Sequence, residues 1–296
     1  MIRLAVRCQP NLAERVLAEL VQLAPGGVEE VGTVPAAPGV GDEEAAGGDW
    51  VEYAIYGAAG ELPALPDLEA IAGDGLVAVT SAEIPDDWAD RWQDFHQALE
   101  VGGRLWVRPS WAEARPGAID IVVDPGQAFG TGAHPTTRMC LELLLKLADA
   151  GGARGALADW GTGSGVLAIA AAKLGFAPVV ACDHEPAALE AAGANARANE
   201  VELELRRANL RLEPPPQAPT VVANLTAPIL CEIARRLERA PEQLICSGLL
   251  AGEAEGARRA FARHGLTQRL SRAEGDWMAI SFATGLAGGG RGTIRA

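Results

Sequence analysis

Several features that assign a chain to a common class are scarce or absent in these 296 residues. The chain has five cysteines without a CxxC pair and four histidines without HxxxH spacing, so we expect neither a disulfide framework nor a metal site. No apolar run reaches the roughly 18 residues of a membrane-spanning helix, and the first residues lack a secretory core. These absences predict a cytoplasmic protein that binds no metal and does not associate with a membrane.

Lysine is absent from residues 1–100, which hold 4 arginines and 19 acidic residues, whereas residues 101–296 hold 21 basic and 20 acidic residues. The regional net charges are therefore −15 and +1, which sum to the −14 of the whole chain. Proteins that bind nucleic-acid phosphates need positive charge, so no direct nucleic-acid binding is expected. An acidic N-terminal part either attracts a basic partner or serves solubility.

The N-terminal part has the pattern of a small α+β domain. Over residues 1–84 the order β-α-β-β-(α)-β predicts a ferredoxin-like fold. Residues 85–100 open on acidic residues and place Trp88, Trp92 and Phe95 on one helix face. This predicts a linker helix whose aromatic stripe packs between two domains.

Beyond that helix the pattern changes to strands that alternate with helices. Over residues 101–284 this alternation predicts an α/β domain with a parallel sheet covered on both faces. The Gly-rich residues 285–296 are expected to form a disordered tail.

The stretch ADWGTGSGVLAIAAAKLG, residues 158–175, combines a strand end, a glycine turn and a helix. Gly161 can take backbone angles that other residues avoid, and Gly163 and Gly165 let a ligand lie against the chain. Such a turn predicts a nucleotide site at the carboxyl edge of a parallel sheet. The dinucleotide pattern G-x-G-x-x-G needs a glycine where this chain has Val166, which argues against a dinucleotide-dependent oxidoreductase.

Asp183 ends the next predicted strand, where a carboxylate can accept hydrogen bonds from ribose hydroxyls. The alternative is that Asp183 caps the helix that begins near Pro186. Together GTGSG and ACDHEP resemble the S-adenosylmethionine (SAM) site of class I methyltransferases.

Further stretches narrow this resemblance. They are DWADRWQDFH, RLWVRPSW, DPGQAFGTGAHPTTRMCLELL (124–144), VVANLTAPILCEIA (221–234) and LICSGLLAGEAEGARRAF (244–261). The series, which runs from Asp86 to Trp277, resembles the ribosomal protein L11 methyltransferase family (PrmA). The resemblance implies a class I SAM-methyltransferase domain preceded by a substrate-recognition domain, SAM as cofactor, and ribosomal protein L11 as partner and substrate.

The resemblance implies that Thr137, Gly161, Asp183 and Asn224 contact the cofactor. We also expect Gly163, Gly165, Phe129 and Gly130 to lie at that site. Thr137 alone also fits a helix N-cap, Asn224 fits a ligand of strand-end backbone groups, and Phe129 fits a loop anchor.

His134 is expected to order its loop, because nothing in the chain pairs it with an orienting acid. Two departures from the family pattern, Trp160 and the pair Thr226 and Ala227, are expected to alter adenine packing or the acceptor mouth.

The implied reaction is methyl transfer to an amine, with Asn224 and nearby carbonyls orienting the amine and residues 126–132 closing over the methionine end. The acidic domain is expected to grip L11 and to move about the 85–100 helix. The alternatives are a methyltransferase for another protein lysine or a small amine, and a non-catalytic SAM-binding ribosome-assembly factor. A monomer is expected.

Overall fold

The computed structural model describes residues 2–13, 15–17, 20, 28–34, 50–57, 77–83, 97–124, 134–152, 155–285 and 292–293. These residues fall into two compact units, one before position 96 and one after it. In the first unit the strands are β1 (Ile2–Cys8), β2 (Glu29–Val34), β3 (Trp50–Gly57) and β4 (Val77–Glu83).

Among the described residues, the second unit holds the remaining strands and five α-helices. Its strands are β5 (Leu99–Val101), β6 (Leu105–Arg108), β7 (Ile119–Val122), β8 (Leu157–Trp160), β9 (Val179–Asp183), β10 (Glu204–Arg207), β11 (Thr220–Asn224), β12 (Gln243–Leu250), β13 (Leu266–Glu274), β14 (Trp277–Thr284) and β15 (Gly292–Thr293). Its helices are α1 (Pro135–Leu147), α2 (Val166–Lys173), α3 (Pro186–Ala198), α4 (Ala227–Arg236) and α5 (Ala254–Ala262), and a π-helical turn (Ala148–Gly152) follows α1.

The first unit is a four-stranded antiparallel sheet in the order β2-β3-β1-β4. Alternate residues of β1 and β3, such as Val6 and Tyr53, face an apolar cluster. Leu12, Val16 and Leu20 complete this cluster at helical spacing. The alternation of β1 and the helical period after it thus bury one face of the sheet.

A buried acid lies on the other face of the same two strands. Glu52 on β3 is 3% exposed and accepts hydrogen bonds from both Arg3 and Arg7 on β1. These two guanidinium groups hold the pKa of the Glu52 carboxyl below its usual range, against the opposing effect of burial. Burying this charge is tolerated because it is paired twice.

The second unit begins with a small sheet in the order β5-β6-β7. The predicted helix over 85–100 is wrong at its end, since positions 99 and 100 belong to β5, which pairs antiparallel with β6. Leu99 and Val101 alternate with Glu100, and the tight turn before Leu105 closes a hairpin. The predicted aromatic stripe of Trp88, Trp92 and Phe95 lies outside the described residues.

The large sheet has the order β10-β9-β8-β11-β12-β14-β13-β15. Its strands from β10 to β12 are parallel, but β14 runs antiparallel to β12 and to β13. The sheet is therefore mixed rather than wholly parallel, because a short turn joins β13 directly to β14 without a crossover helix. In the tail expected to be disordered, Gly292 and Thr293 pair with β13.

Helices cover both faces of this sheet. The apolar residues of α1 and α2 form one cluster with Leu157 and Val222, while those of α4 and α5 form a second cluster with Ala158 and Val221. Neighbouring residues of one strand thus enter opposite clusters, as the strand period requires. No helix in the described part of the chain is long and apolar enough to span a membrane.

Candidate active site

A turn built on three glycines joins β8 to α2 at the carboxyl edge of the parallel strands. Gly161, Gly163 and Gly165 have φ values of 75°, 52° and 84°, in the left-handed region that residues with a Cβ avoid. A Cβ on Gly161 would lie 2.4 Å from Leu225 Cδ2. The turn therefore requires glycine for its backbone path and, at position 161, for the close approach of Leu225.

Hydrogen bonds from the end of β9 hold this turn. The N–H groups of Gly161 and Thr162 both donate to the carbonyl oxygen of Cys182 at 2.9 Å. Gly163 N donates to Asp183 Oδ2 at 3.0 Å. The turn and Asp183 thus form one hydrogen-bonded unit across two neighbouring strands.

Asp183 is the predicted ribose-binding acid, and its side chain is 12% exposed. Its Oδ1 accepts a hydrogen bond from Glu185 N at 3.1 Å and lies 3.2 Å from His184 Nδ1. The N-cap position of α3 is Glu185 rather than Asp183. The hydrogen bond from Glu185 N to Asp183 therefore belongs to a local turn before the helix and is not a helix cap. A carboxylate has about four acceptor positions, and the two backbone N–H groups leave others for a ligand.

A second polar pair joins α1 to the end of β11. Asn224 Nδ2 donates to Thr137 Oγ1 at 3.1 Å. Thr137 is 1% exposed, and its N–H donates to the carbonyl oxygen of His134 at 3.1 Å. His134 is the N-cap of α1, so the alternative in which Thr137 itself is the cap is wrong. Because Asn224 Nδ2 donates to Thr137, the side-chain carbonyl oxygen is the acceptor atom that Asn224 can offer to a ligand.

Comparison with known proteins identifies the family of the chain. The family model described as ribosomal protein L11 methyltransferase (PrmA) matches residues 66–284. The chain belongs to the ribosomal protein L11 methyltransferase family. A relative of that name from Symbiobacterium thermophilum is 38% identical over 223 residues, which are 72% of each chain. One from Pseudomonas paraeruginosa is 41% identical over 227 residues, covering 75% of this chain and 76% of the relative.

A solved structure agrees with membership of the L11 methyltransferase family. The crystal structure titled ribosomal protein L11 methylase from Lactobacillus delbrueckii subsp. bulgaricus is 27% identical, with a TM-score of 0.56. The match covers 64% of this chain and 98% of that one. The recognition made from the sequence motifs is therefore confirmed.

In this member of the L11 methyltransferase family, the strand ends bring most of the predicted residues to one edge of the sheet. Gly161 follows β8, Asp183 ends β9 and Asn224 ends β11, which is the neighbour of β8 on its other side. This is the edge at which open α/β sheets bind ligands. Phe129 and Gly130 lie outside the described residues.

His134 has the geometry of a structural residue, as expected. Thr136 N donates to His134 Nδ1 at 3.3 Å, and Thr136 Oγ1 lies 2.7 Å from the same nitrogen. The ring packs edge-on against Trp277 with centroids 5.1 Å apart. Burial, with a smaller contribution from Arg138, lowers the pKa of His134 to about 4. At neutral pH the ring is uncharged and its Nδ1 lone pair is already used.

Asp159 is a polar residue of the site region that sequence reasoning missed. It is 0% exposed on β8, and its Oδ2 accepts a 2.7 Å hydrogen bond from Thr162 Oγ1. Its Oδ1 has no hydrogen-bond partner among the described residues. Burial raises the pKa of Asp159 to about 7, against the lowering effect of Thr162. The available signal was an acid inside the otherwise apolar strand LADW, directly before the glycine turn.

The departures from the family pattern have different surroundings. Trp160 is 1% exposed, belongs to the apolar cluster of α4 and α5, and donates from Nε1 to the carbonyl oxygen of Pro216 at 2.9 Å. Its indole is thus a core side chain. Thr226 is the N-cap of α4 without a side-chain capping bond, and it is exposed at the carboxyl edge of the sheet.

Proposed function

We propose that this chain transfers methyl groups from S-adenosylmethionine to amino groups of ribosomal protein L11, in the cytoplasm. SAM is the cofactor, and the chain is a protein methyltransferase of its family. The observation that carries the proposal is a single sheet edge that presents both a nucleoside-type turn, Gly161 to Gly165 with Asp183, and a polar pair, Thr137 with Asn224. The acceptor amines are either the N-terminal α-amino group or lysine side chains.

The residues at this edge fit SAM. The glycine turn leaves no side chain above three alternate positions, which suits close contact with a flat nucleoside. Asp183 retains acceptor capacity for ribose hydroxyls after its backbone hydrogen bonds. The glycine turn and the Asp183 carboxylate together therefore support SAM as the ligand.

When bound, SAM supplies an electrophilic methyl carbon on a sulfonium. The chain's own contribution is to hold the acceptor nitrogen in line with it, which is a matter of positioning. Asn224 Nδ2 is fixed by Thr137, so the Asn224 carbonyl oxygen is the group that accepts an N–H of the amine and directs its lone pair. The amine must be neutral, and an α-amino group with a pKa near 8 meets this condition more readily than a lysine near 10.4.

No strong base is needed, because the proton leaves a methylated ammonium after transfer. His134 does not fit such a base, since its pKa of about 4 lies too low and its Nδ1 accepts from Thr136. We propose that solvent accepts this proton. Asn224 is thus assigned as the catalytic positioning group that touches the substrate.

For the N-terminal unit we propose an acidic, ferredoxin-like substrate-recognition domain over residues 1–84. The strand order β2-β3-β1-β4 and a helical cluster on one face support that fold. The net charge of −15 over residues 1–100 supports attraction of a basic partner. Residues 101–284 are the catalytic domain, and we propose that the chain acts as a monomer.

Mass spectrometry of L11 after incubation with the chain and SAM tests the function. We expect gains in steps of about 14 Da and their loss in Asp183→Ala, which removes the ribose acceptor. Methylation of lysines in other proteins or of small amines, but not of L11, would favour the alternative of a methyltransferase with another substrate. SAM binding without any methylation would favour the non-catalytic assembly factor.

A further inference from the structure

A basic cleft of about 460 Å³ lies between α4 and α5 in the second unit. Its basic lining residues are Arg235, Arg259, Arg263 and His264, and its other lining residues are small. No carboxylate is among the lining residues of this cleft. We call it the α4–α5 cleft.

Two arginines of the cleft have no partner in the described part of the chain. Glu232 is shared by Arg235, at 3.0 Å, and by Arg236, at 2.7 Å. Arg259 and Arg263, by contrast, form neither a hydrogen bond nor an ion pair within the described residues, and both are exposed. They are four positions apart, so they lie about 6 Å apart along the helix direction.

The lining residues of the cleft favour an anionic ligand. Guanidinium groups bind phosphate through paired, charge-assisted hydrogen bonds. Apart from the His264 imidazole, whose Nε2 lies 2.6 Å from the carbonyl oxygen of Ala234, the cleft has no aromatic ring on which a base could stack, and it has no carboxylate or amide. We propose that the α4–α5 cleft binds the phosphodiester backbone of RNA through Arg259 and Arg263.

The net charge of −14 predicts no nucleic-acid binding for the chain as a whole, but the charge is unevenly placed. Residues 1–100 carry −15 and residues 101–296 carry +1. At physiological salt, charges more than about 8 Å apart are largely screened. The local charge of the cleft, rather than the sum over the chain, therefore governs binding there.

RNA is favoured over other phosphodiesters because L11, the substrate in the proposed function, belongs to an RNA-rich particle; this choice rests on that function. Binding at the cleft itself follows from the cleft's residues alone. The competing explanation is that Arg259 and Arg263 only complement the negative end of α5.

Fluorescence anisotropy of the full chain with a labelled, mixed-sequence single-stranded RNA of about 20 nucleotides tests the proposal. For two phosphate contacts we expect log K to fall with log salt concentration at a slope of about −1.4. The double variant Arg259→Gln/Arg263→Gln should bind at least tenfold more weakly at 50 mM salt and lose most of that slope. The control Arg104→Gln/Arg211→Gln removes the same charge elsewhere and should stay within twofold.

Three results would overturn the proposal: no RNA binding by the unaltered chain, equal binding by the Arg259 and Arg263 variant, or equal affinity for polyaspartate. A lowered Tm of that variant with unchanged RNA binding would assign the arginines to the helix end. Methylation of isolated L11 is measured on the same proteins and should not change. If the unaltered chain does not methylate L11, the proposed function is wrong. The anisotropy measurement would still decide whether the cleft binds RNA.

Discussion

The two halves of the candidate site are built in different ways. The nucleoside half, between β8 and β9, is held by main-chain N–H groups, by three glycines with positive φ and by the buried Asp159 beneath them. The acceptor half, between α1 and β11, depends on one hydrogen bond between side chains, Asn224 to Thr137. The first half is therefore sensitive to shape and burial, and the second to the identity of single atoms.

The largest effect is expected at Asp159, where burial raises the pKa to about 7. In the unfolded chain this pKa is about 3.9, so between about pH 4 and pH 7 the folded state holds a proton that the unfolded state releases. The free energy of unfolding should therefore fall as pH rises through this window and stay low above it.

Asp159→Asn cannot ionise and should escape that loss. Relative to the variant, the unaltered chain should lose up to about 4 kcal/mol between pH 4 and pH 8, which is the value of a shift of three pKa units. Urea unfolding of both proteins at intervals of one pH unit measures the difference. If the difference in unfolding free energy between the two proteins does not vary with pH, Asp159 does not have the raised pKa on which this prediction depends.

Gly161→Ala tests whether backbone shape defines the nucleoside half. Its Cβ would meet Leu225 Cδ2 at 2.4 Å, so we expect SAM affinity, measured by calorimetry, to fall on the order of 100-fold. The matched control is Gly265→Ala, which has the same φ of +75° but no atom within 4 Å of its Cβ. It should cost about 1–2 kcal/mol of stability and leave SAM affinity unchanged.

Thr137→Val tests the single-atom character of the acceptor half. Valine keeps the shape of the buried side chain but cannot bind Asn224 Nδ2, so the amide is free to rotate. We expect kcat to fall about 10- to 30-fold, in the range of one lost positioning interaction, with a smaller change in SAM affinity. Thr137→Ser retains the hydroxyl and should recover most of the rate. Equal rates for the two variants would contradict the positioning role.

The smallest effect is expected at His134, which caps α1 beside the acceptor half. His134→Ala should lower stability by about 1 kcal/mol, whereas His134→Asn, a good N-cap, should recover it. Because the pKa of His134 is about 4, its titration should not appear in the kcat profile above pH 6. Loss of turnover in a stable His134→Asn variant would show a direct role in chemistry.

The strand, turn and helix pattern around Gly161, with Asp183 and Asn224 at later strand ends, was readable from the sequence because period and glycine spacing are local. The antiparallel β13–β14 pair was not distinguished from further parallel strands, since both read as apolar strands until their connection is known. The sequence predicts a helix at residues 99 and 100 because acids and aromatics at helical spacing dominate the preceding segment.

Side-chain partners were the least predictable part of the site. Thr137 was open to two roles, and only the position of His134 as N-cap and the contact with Asn224, 87 residues away, decided between them. Asp159 has no local signal for its unusual feature, a carboxylate oxygen without a hydrogen-bond partner among the described residues, because that feature depends on burial by distant elements. Such pairings across the fold have no signature in local sequence.

The doubly paired Glu52 has a consequence for how the first unit assembles. A shift of β3 by one residue against β1 would turn Glu52 toward the cluster of Val16 and Leu20, and would leave Arg3 and Arg7 without their partner. An unpaired charge in an apolar cluster costs several kcal/mol. The paired acid therefore disfavours a shifted alignment of the two central strands.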